Sequence, residues 1–211
     1  MFELEYKGGN AVVLSTKKST LVVDPKLSVV GLKDLKVKEQ IEVVTENRFR
    51  VDDGEARVTI DGPGEYEVAD FTIRGIAATR HIDTPEQEQL STMYRIECSD
   101  VRVAVLGNVQ AKLSEEQYES LGVVDVLVLP VGGGGYTLDA TSATSIVRSI
   151  EPKVVVPVHY DGPGLTYEVP QDILETFTKE LGAPVETVPK LKVKTASVLP
   201  QALTVMVVER S

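Results

Sequence analysis

The sequence contains few of the residue types on which reactive centres and cross-links depend. Its 211 residues include one cysteine, two histidines and no tryptophan. The single thiol, Cys98, cannot form a disulfide within the chain, which agrees with a reducing compartment. The scarcity of histidine restricts any imidazole-based site to His81 and His159.

Long apolar segments and an excess of positive charge are also absent. No apolar run approaches the roughly 20 residues that a membrane-spanning helix requires. The first five residues are acidic and alternating, whereas a secretory signal begins with basic residues and continues as an apolar stretch. We therefore expect a cytoplasmic protein with no membrane partner. The 22 basic and 32 acidic residues give a net charge of -10, which repels phosphate backbones, so nucleic acid is not an expected partner.

Short alternating or β-branched runs between turn residues predict strands throughout the first half of the chain. These runs cover residues 4–7, 11–14, 20–23, 41–44, 56–60, 71–77, 93–98 and 101–106, with a turn at residues 61–64. The apolar fraction of 42% supplies a substantial core, and no linker divides the chain. We therefore predict a single domain over residues 1–211.

The second half of the chain alternates helix and strand signals. Ser114 and Gln117 have the spacing of a capping box, and Asp139 precedes apolar residues at helical spacing over 140–150. The apolar runs 124–129 and 154–158 are typical of strands covered on both faces. Residues 170–181 predict a helix ended by Gly182, and residues 203–208 a final strand. The order predicts an α/β fold, a four-layer αββα sandwich.

Several short motifs resemble one known family. They are DGPGEYE at residues 61–67, LSEEQ at 113–117, PVGGGGYT at 130–137, VPVHY at 156–160 and PKLKV at 189–193. Together they resemble the ascorbate-6-phosphate-lactonase-like branch of the metallo-β-lactamase superfamily. The resemblance spans almost the whole chain, agrees with the predicted sandwich and implies a homo-oligomer. The glycines at 132–135 lack the Lys-Ser/Thr of a P-loop, so we interpret them as a tight strand-to-helix connection.

The resemblance also implies where metal ligands would lie. The family's H-x-H-x-D-H cluster follows a buried strand, and its ligand positions correspond here to Glu46, Arg48, Arg50 and Val51. An arginine guanidinium has no free lone pair and stays protonated, so it cannot coordinate zinc. Two arginines at these positions should repel a divalent cation.

The remaining ligand positions are altered as well. The family's early Gly-His pair corresponds to Gly8-Gly9, and the aspartate of its His-x-Gly-Asp element corresponds to Asn108. The mid-chain histidine corresponds to Arg80, or to His81 after a shift of one residue. Only His159 coincides with a family ligand, the C-terminal one.

Two functional hypotheses follow. The preferred one is a metal-free pseudoenzyme without cofactor, a binding or assembly module for an unidentified protein or a small anionic ligand. Its vestigial pocket would contain Glu46, Arg48, Arg50, Arg80, His81, Asn108 and His159. The alternative is a metal-dependent hydrolase of lactones or phosphoesters, which would hold Zn or Mn with His159, His81 and Glu46, aided by Asp52 or Asp53.

The arginines lead to a further expectation about charge. Loss of metal ions without compensation would leave acidic groups such as Glu46, Asp24 or Asp52 facing one another. A guanidinium can pair with a carboxylate in their place. We expect at least one of the arginines 48, 50 and 80 to pair with an acidic residue near His159.

Overall fold

The polypeptide forms two β-sheets that pack face to face. The computed structural model describes residues 1–51, 54–83 and 90–211. Its strands are β1 Phe2–Gly8, β2 Ala11–Ser15, β3 Thr20–Val23, β4 Ile41–Val43, β5 Val58–Ile60, β6 Gly64–Val68, β7 Phe71–Ala78, β8 Ser91–Cys98, β9 Val101–Val105, β10 Val126–Pro130, β11 Val154–Val158, β12 Val185–Val188, β13 Leu191–Val193 and β14 Thr204–Val208.

The two sheets differ in size and strand direction. The first sheet has six strands in the order β13-β1-β2-β3-β4-β5, of which β3, β4 and β5 run parallel. The second has eight strands in the order β12-β14-β11-β10-β9-β8-β7-β6. In it β6 to β9 form an antiparallel meander, and the strands from β9 to β12 run parallel. Parallel strands deliver their carboxyl ends to one edge of a sheet, which places the following loops together.

The central strands of the second sheet are buried on both faces. In β10, Val126 and Val128 point into the core between the sheets, whereas Leu127 and Leu129 point toward the helices. The strand alternation of period two therefore supplies two cores at once. This confirms the prediction of doubly covered strands at residues 124–129 and 154–158.

Three α-helices of the described chain cover the outer face of the second sheet. They are α1 Glu115–Leu121, α2 Ala140–Ile150 and α3 Leu174–Leu181. The capping box at Ser114 and Gln117 and the Asp139 cap are formed as predicted. The α/β fold class is thereby confirmed. The outer layer of the first sheet is a 3₁₀ turn at Leu27–Val30 with loop side chains packed around it.

Some boundaries differ from those expected. The last helix begins at Leu174 rather than at residue 170, because the preceding residues bind elsewhere. Asp172 donates its backbone N–H to the carbonyl of Gly132, and Gln171 contacts His159. The strands β12 and β13 were not predicted; with four and three residues they are too short to show a period. Among the described residues, no helix combines the length and hydropathy needed to cross a bilayer.

The doubly covered strand gives a first testable prediction. Leu127→Ala should lower the free energy of unfolding by about 2–5 kcal/mol, because the leucine is fully buried against the helices and its loss leaves a cavity. Val123→Ala is the matched control, since Val123 is exposed nearby and should change stability by less than about 0.5 kcal/mol. Urea denaturation of both variants measures the difference, and equal values would contradict the assigned burial.

Candidate functional site

Loops that follow four strands converge at one end of the sandwich. Asp24 follows β3, Glu46 comes shortly after β4, Asn108 after β9 and His159 directly after β11. All four side chains are buried. Polar groups gathered in this way must find partners within the protein, and those partners determine what the site can do.

Glu46 is the centre of this polar cluster. Its Oε1 accepts a hydrogen bond from Nδ2 of Asn108 at 2.9 Å, and Oδ1 of Asn108 accepts one from Nδ2 of Asn10 at 3.0 Å. The chain of two asparagines therefore ends on the carboxylate. Burial raises the pKa of Glu46, and the guanidinium of Arg48 opposes that rise.

Two arginines supply positive charge to the buried carboxylate. Nε of Arg48 lies 3.0 Å from Oε2 of Glu46, and Nη1 of Arg80 lies 3.8 Å from the same oxygen. Arg80 is itself bound to Asp83, whose carboxylate accepts from its Nε and from its backbone N–H. The expected pairing of an arginine with an acidic residue is thus present twice, and Arg48 and Arg80 share one carboxylate.

Arg50 pairs with an acidic residue outside this cluster. Its Nη1 donates to Oδ2 of Asp61 at 2.9 Å, and that pair is substantially exposed. This contact does not place Arg50 in the pocket, and its expected position there stays a prediction. After the 3₁₀ turn Asn47–Phe49, Arg50 returns to extended backbone and points toward the turn at Asp61.

Asp24 is a second buried carboxylate, held by one residue. Its two oxygens accept from the backbone N–H and the hydroxyl of Thr45, at 2.7 and 2.6 Å. Burial raises the pKa of Asp24 to about 7, and the nearby Glu46 adds to the rise. Thr45 fits only because residue 107 is glycine: a Cβ there would lie 2.8 Å from the Thr45 side chain.

The orientation of His159 is fixed by its hydrogen bond to Gln171. Nδ1 of His159 lies 3.1 Å from Oε1 of Gln171. Nε2 of Gln171 donates to the carbonyl of Val169, so the amide oxygen must face the histidine. Nδ1 therefore carries the proton, and Nε2 of His159 keeps its lone pair.

His159 is also enclosed by aromatic rings. Its ring lies 4.6 Å from that of Tyr167 and is stacked at 6.0 Å on that of Tyr136. Burial lowers the pKa of His159 to about 4, so the imidazole is neutral at neutral pH. His159 adopts a φ of 52°, a backbone conformation that residues other than glycine rarely take.

The cavity beside His159 is small, and Arg48 is one of the residues that line it. Its volume is about 20 Å³, room for roughly one water molecule. Val29, Val30, Arg48, Phe49, Tyr136, His159, Tyr167, Glu168, Val169 and Gln171 line it. The guanidinium carbon of Arg48 lies 4.5 Å from the centre of the Phe49 ring and 4.7 Å from that of Tyr136. Ligand pockets for drug-sized molecules are typically about 300 Å³ or more.

These residues do not fit a catalytic metal ion. Within residues 1–51, 54–83 and 90–211, no three His, Cys, Asp or Glu side chains come together as a ligand set. Both oxygens of Asp24 are engaged by Thr45, and those of Glu46 face Asn108 and the arginines. Catalytic zinc requires about three protein ligands and an open position. Of the lone pairs described here, that on Nε2 of His159 is the one best placed for coordination.

Another predicted ligand, His81, meets the site through its backbone. The structure brings His81 to Asn108 through its backbone, with the His81 N–H donating to the Asn108 carbonyl at 2.8 Å. Nδ1 of its ring is buried and has no hydrogen-bond partner among the described residues. Asp52 and Asp53 lie outside the residues that the structure describes.

Sequence reasoning missed several partners in the site. Asn10, Gln171, Tyr136 and Tyr167 contact its central residues and were not predicted. Gln171 is 12 residues from His159 and Asn10 is 98 from Asn108, so no local pattern connects them. The glycines at 132–135 form the predicted connection, and a side chain at Gly132 would collide with the His159 carbonyl.

Comparison with known proteins assigns the family. A family model described as the β-lactamase superfamily domain matches residues 3–159. The chain therefore belongs to the β-lactamase superfamily. A UPF0173 protein from Pyrococcus furiosus is 36% identical over 132 residues, which are 62% of this chain and 56% of that protein. The matched region thus spans little more than half of this curated relative.

Solved structures share the fold. A proposed zinc-dependent hydrolase of the metallo-β-lactamase superfamily from Thermotoga maritima superposes with a TM-score of 0.77 at 22% identity, covering 99% of this chain and 100% of that one. Igni18, described as a metallo hydrolase from Ignicoccus hospitalis, superposes with a TM-score of 0.62 at 18% identity, covering 86% of this chain and 90% of that one. At these identities the likeness is one of fold.

The raised pKa of Asp24 predicts a pH-dependent stability difference. Its pKa rises from 3.8 to about 7, so between these values the folded state binds more protons than the unfolded state, and Asp24 lowers stability as the pH increases. Asp24→Asn mimics the protonated form. The free energy of unfolding of this variant minus that of the natural protein should increase by roughly 2–4 kcal/mol between pH 4 and pH 8.

The comparison between these two proteins removes the effect of His159. Its lowered pKa makes stability rise between about pH 4 and 6.5 in both, so the slope cancels in the difference. Urea denaturation across this range measures the difference, and a value independent of pH would contradict a buried titrating Asp24.

The shared carboxylate predicts coupling between Arg48 and Glu46. Arg48→Ala should lower the free energy of unfolding by about 1–3 kcal/mol. This is less than the loss expected when a fully buried ion pair is broken, because the Arg48 side chain is 31% exposed. In a Glu46→Gln background the same change should cost less, since the charge it neutralises is gone. Arg74→Ala, which breaks an exposed pair with Glu65, is the control and should cost at most about 1 kcal/mol. Equal losses in both backgrounds would contradict the coupling.

Proposed function

We propose that this protein is a metal-independent binding or assembly module built on the β-lactamase superfamily fold. The observation that carries the proposal is the 3.0 Å contact between Nε of Arg48 and Oε2 of Glu46. A permanently protonated guanidinium thereby provides the positive charge that the buried carboxylate needs. A divalent cation at Glu46 would have to displace this group or endure its repulsion.

The contents of the pocket support binding rather than hydrolysis. Without a metal ion the pocket has no water of lowered pKa and no Lewis acid to polarise a carbonyl or phosphoryl group. The neutral His159 has a pKa of about 4, too low for an efficient general base at neutral pH. The cavity of about 20 Å³ does not admit a lactone or a phosphoester in this arrangement.

A metal-dependent hydrolase is the second candidate, and the comparisons favour it. The solved relatives from Thermotoga maritima and Ignicoccus hospitalis are described as hydrolases that depend on a metal. The hydrogen bond from Nδ1 of His159 to Gln171 also leaves Nε2 unprotonated, as in metal-bound histidines. In this case Zn or Mn would bind His159 and Glu46 after Arg48 had moved away.

Four features expected from the sequence stay predictions. They are membership of the ascorbate-6-phosphate-lactonase-like branch, a cytoplasmic location, a single domain and a homo-oligomer.

A small anion is a less favourable ligand for this pocket. It would gain little binding energy from Arg48 and Arg80, because both arginines already face Glu46.

Metal analysis separates the two candidates. Protein purified without chelator and dialysed should contain far less than one zinc, manganese or iron per chain, because the donor set is incomplete. Inductively coupled plasma mass spectrometry measures the content. His159→Ala should leave it unchanged and serves as the control for adventitious metal.

The opposite result would establish the hydrolase. About one tightly bound ion per chain, lost in His159→Ala, would contradict the metal-independent proposal. Hydrolysis of a lactone or phosphodiester that requires the added ion and is abolished in the same variant would identify the activity.

A further inference from the structure

The Arg48 side chain sits in a cage of rings and carboxylates that has the composition of a cation-binding site. Phe49 and Tyr136 present their rings to the guanidinium at 4.5 and 4.7 Å. Glu46 lies on the buried side at 3.0 Å, and Glu168 approaches from the exposed side at 3.9 Å. Aromatic faces with nearby carboxylates are the groups that recognise organic cations.

We propose that this cage is a binding site for a small guanidinium compound and that Arg48 is its resident intramolecular occupant. The inference rests on the proposed metal-independent function, because it assigns a ligand class to the same pocket. The guanidinium of Arg48 itself represents the occupied state of the site. An external guanidinium would replace it group for group.

The attachment of Arg48 differs from that of the structural arginines. Arg102 binds Asp125 through a two-pronged fork, with Nε at 2.8 Å and Nη2 at 3.1 Å from the two carboxylate oxygens. The N–H of Arg48 Nε is not directed at Glu46 closely enough for a hydrogen bond, although the atoms are 3.0 Å apart. Charge and ring contacts hold the guanidinium of Arg48, and both are available to a free ligand.

Contacts that do not involve Arg48 hold the surrounding walls. Tyr136 stacks on His159, and Tyr167 donates from its hydroxyl to the Tyr160 carbonyl. Glu46 remains bound to Asn108. Truncation of Arg48 therefore leaves a vacated cage with its rings and its buried carboxylate oriented.

The experiment is chemical rescue of Arg48→Ala. Thermal unfolding of this variant is followed with increasing methylguanidinium, with methylurea as a neutral control of the same shape. We expect a saturable rise of several degrees with methylguanidinium at millimolar concentration and none with methylurea, because ligand bound to the folded state stabilises it by mass action. The natural protein and Arg74→Ala should show a much smaller rise, since in both proteins the guanidinium of Arg48 competes with the ligand for the cage.

Two double variants test the cage itself. Tyr136→Leu removes one ring and Glu46→Gln the buried charge, and each, combined with Arg48→Ala, should weaken the apparent affinity at least several-fold. If Arg48→Ala does not fold, Arg48→Gln, which keeps an unbranched stem, takes its place, and binding is measured by calorimetry.

The outcomes separate this inference from the proposed function. No saturable effect, or an equal effect in the natural protein or in the double variants, would overturn the cage, whatever the metal content proves to be. Conversely, a metal ion in the natural protein would overturn the proposed function, and rescue of Arg48→Ala would still establish the site.

Discussion

The burial of Glu46 beside a fixed cation is the constraint on which the whole site depends. A carboxylate taken out of water is costly unless charge and hydrogen bonds compensate it. Here Asn108 satisfies one oxygen, and Arg48 and Arg80 face the other. The asparagine is in turn oriented by Asn10, and Arg80 by Asp83. The arrangement is a closed electrostatic network whose members come from four separate segments of the chain.

The backbone around this network carries strain. Asp24 and His159 adopt φ values of 49° and 52°. Such backbone conformations cost residues other than glycine about 1–3 kcal/mol each. Such conformations persist only where surrounding contacts determine them, as Thr45 does for Asp24 and Gln171 for His159. The strained positions directly follow β3 and β11, at the end of the sandwich where the polar cluster lies. The strain is thus concentrated at residues of the candidate site.

The fold was largely predictable from the sequence, because its signals are local. Alternation in strands, the Ser114 capping box and the Asp139 cap each depend on residues within a few positions of one another. Short edge strands such as β12 and β13 carry too few residues for that signal. The site was predictable only in part: the need to compensate buried carboxylates indicated that an arginine would pair with an acidic residue, and Arg48 lies beside Glu46. Which of the arginines would turn inward depends on the 3₁₀ turn at Asn47–Phe49, and the propensities of three residues do not determine such a turn.

A side-chain cation gives a pocket a different physical character from a bound metal ion. A metal ion equilibrates with solution, and its affinity depends on the protonation of its ligands. A guanidinium is tethered to the backbone and stays protonated throughout the accessible pH range. The positive charge at Glu46 is therefore independent of metal supply, and the remaining pH sensitivity falls on Asp24, whose pKa of about 7 is set mainly by burial. A tethered cation cannot diffuse away, because the length of the Arg48 side chain limits how far its guanidinium can move from the cage. A ligand that enters must compete with a group held at high effective concentration, and selectivity then depends on contacts that Arg48 does not make, such as those at the neutral Nε2 of His159.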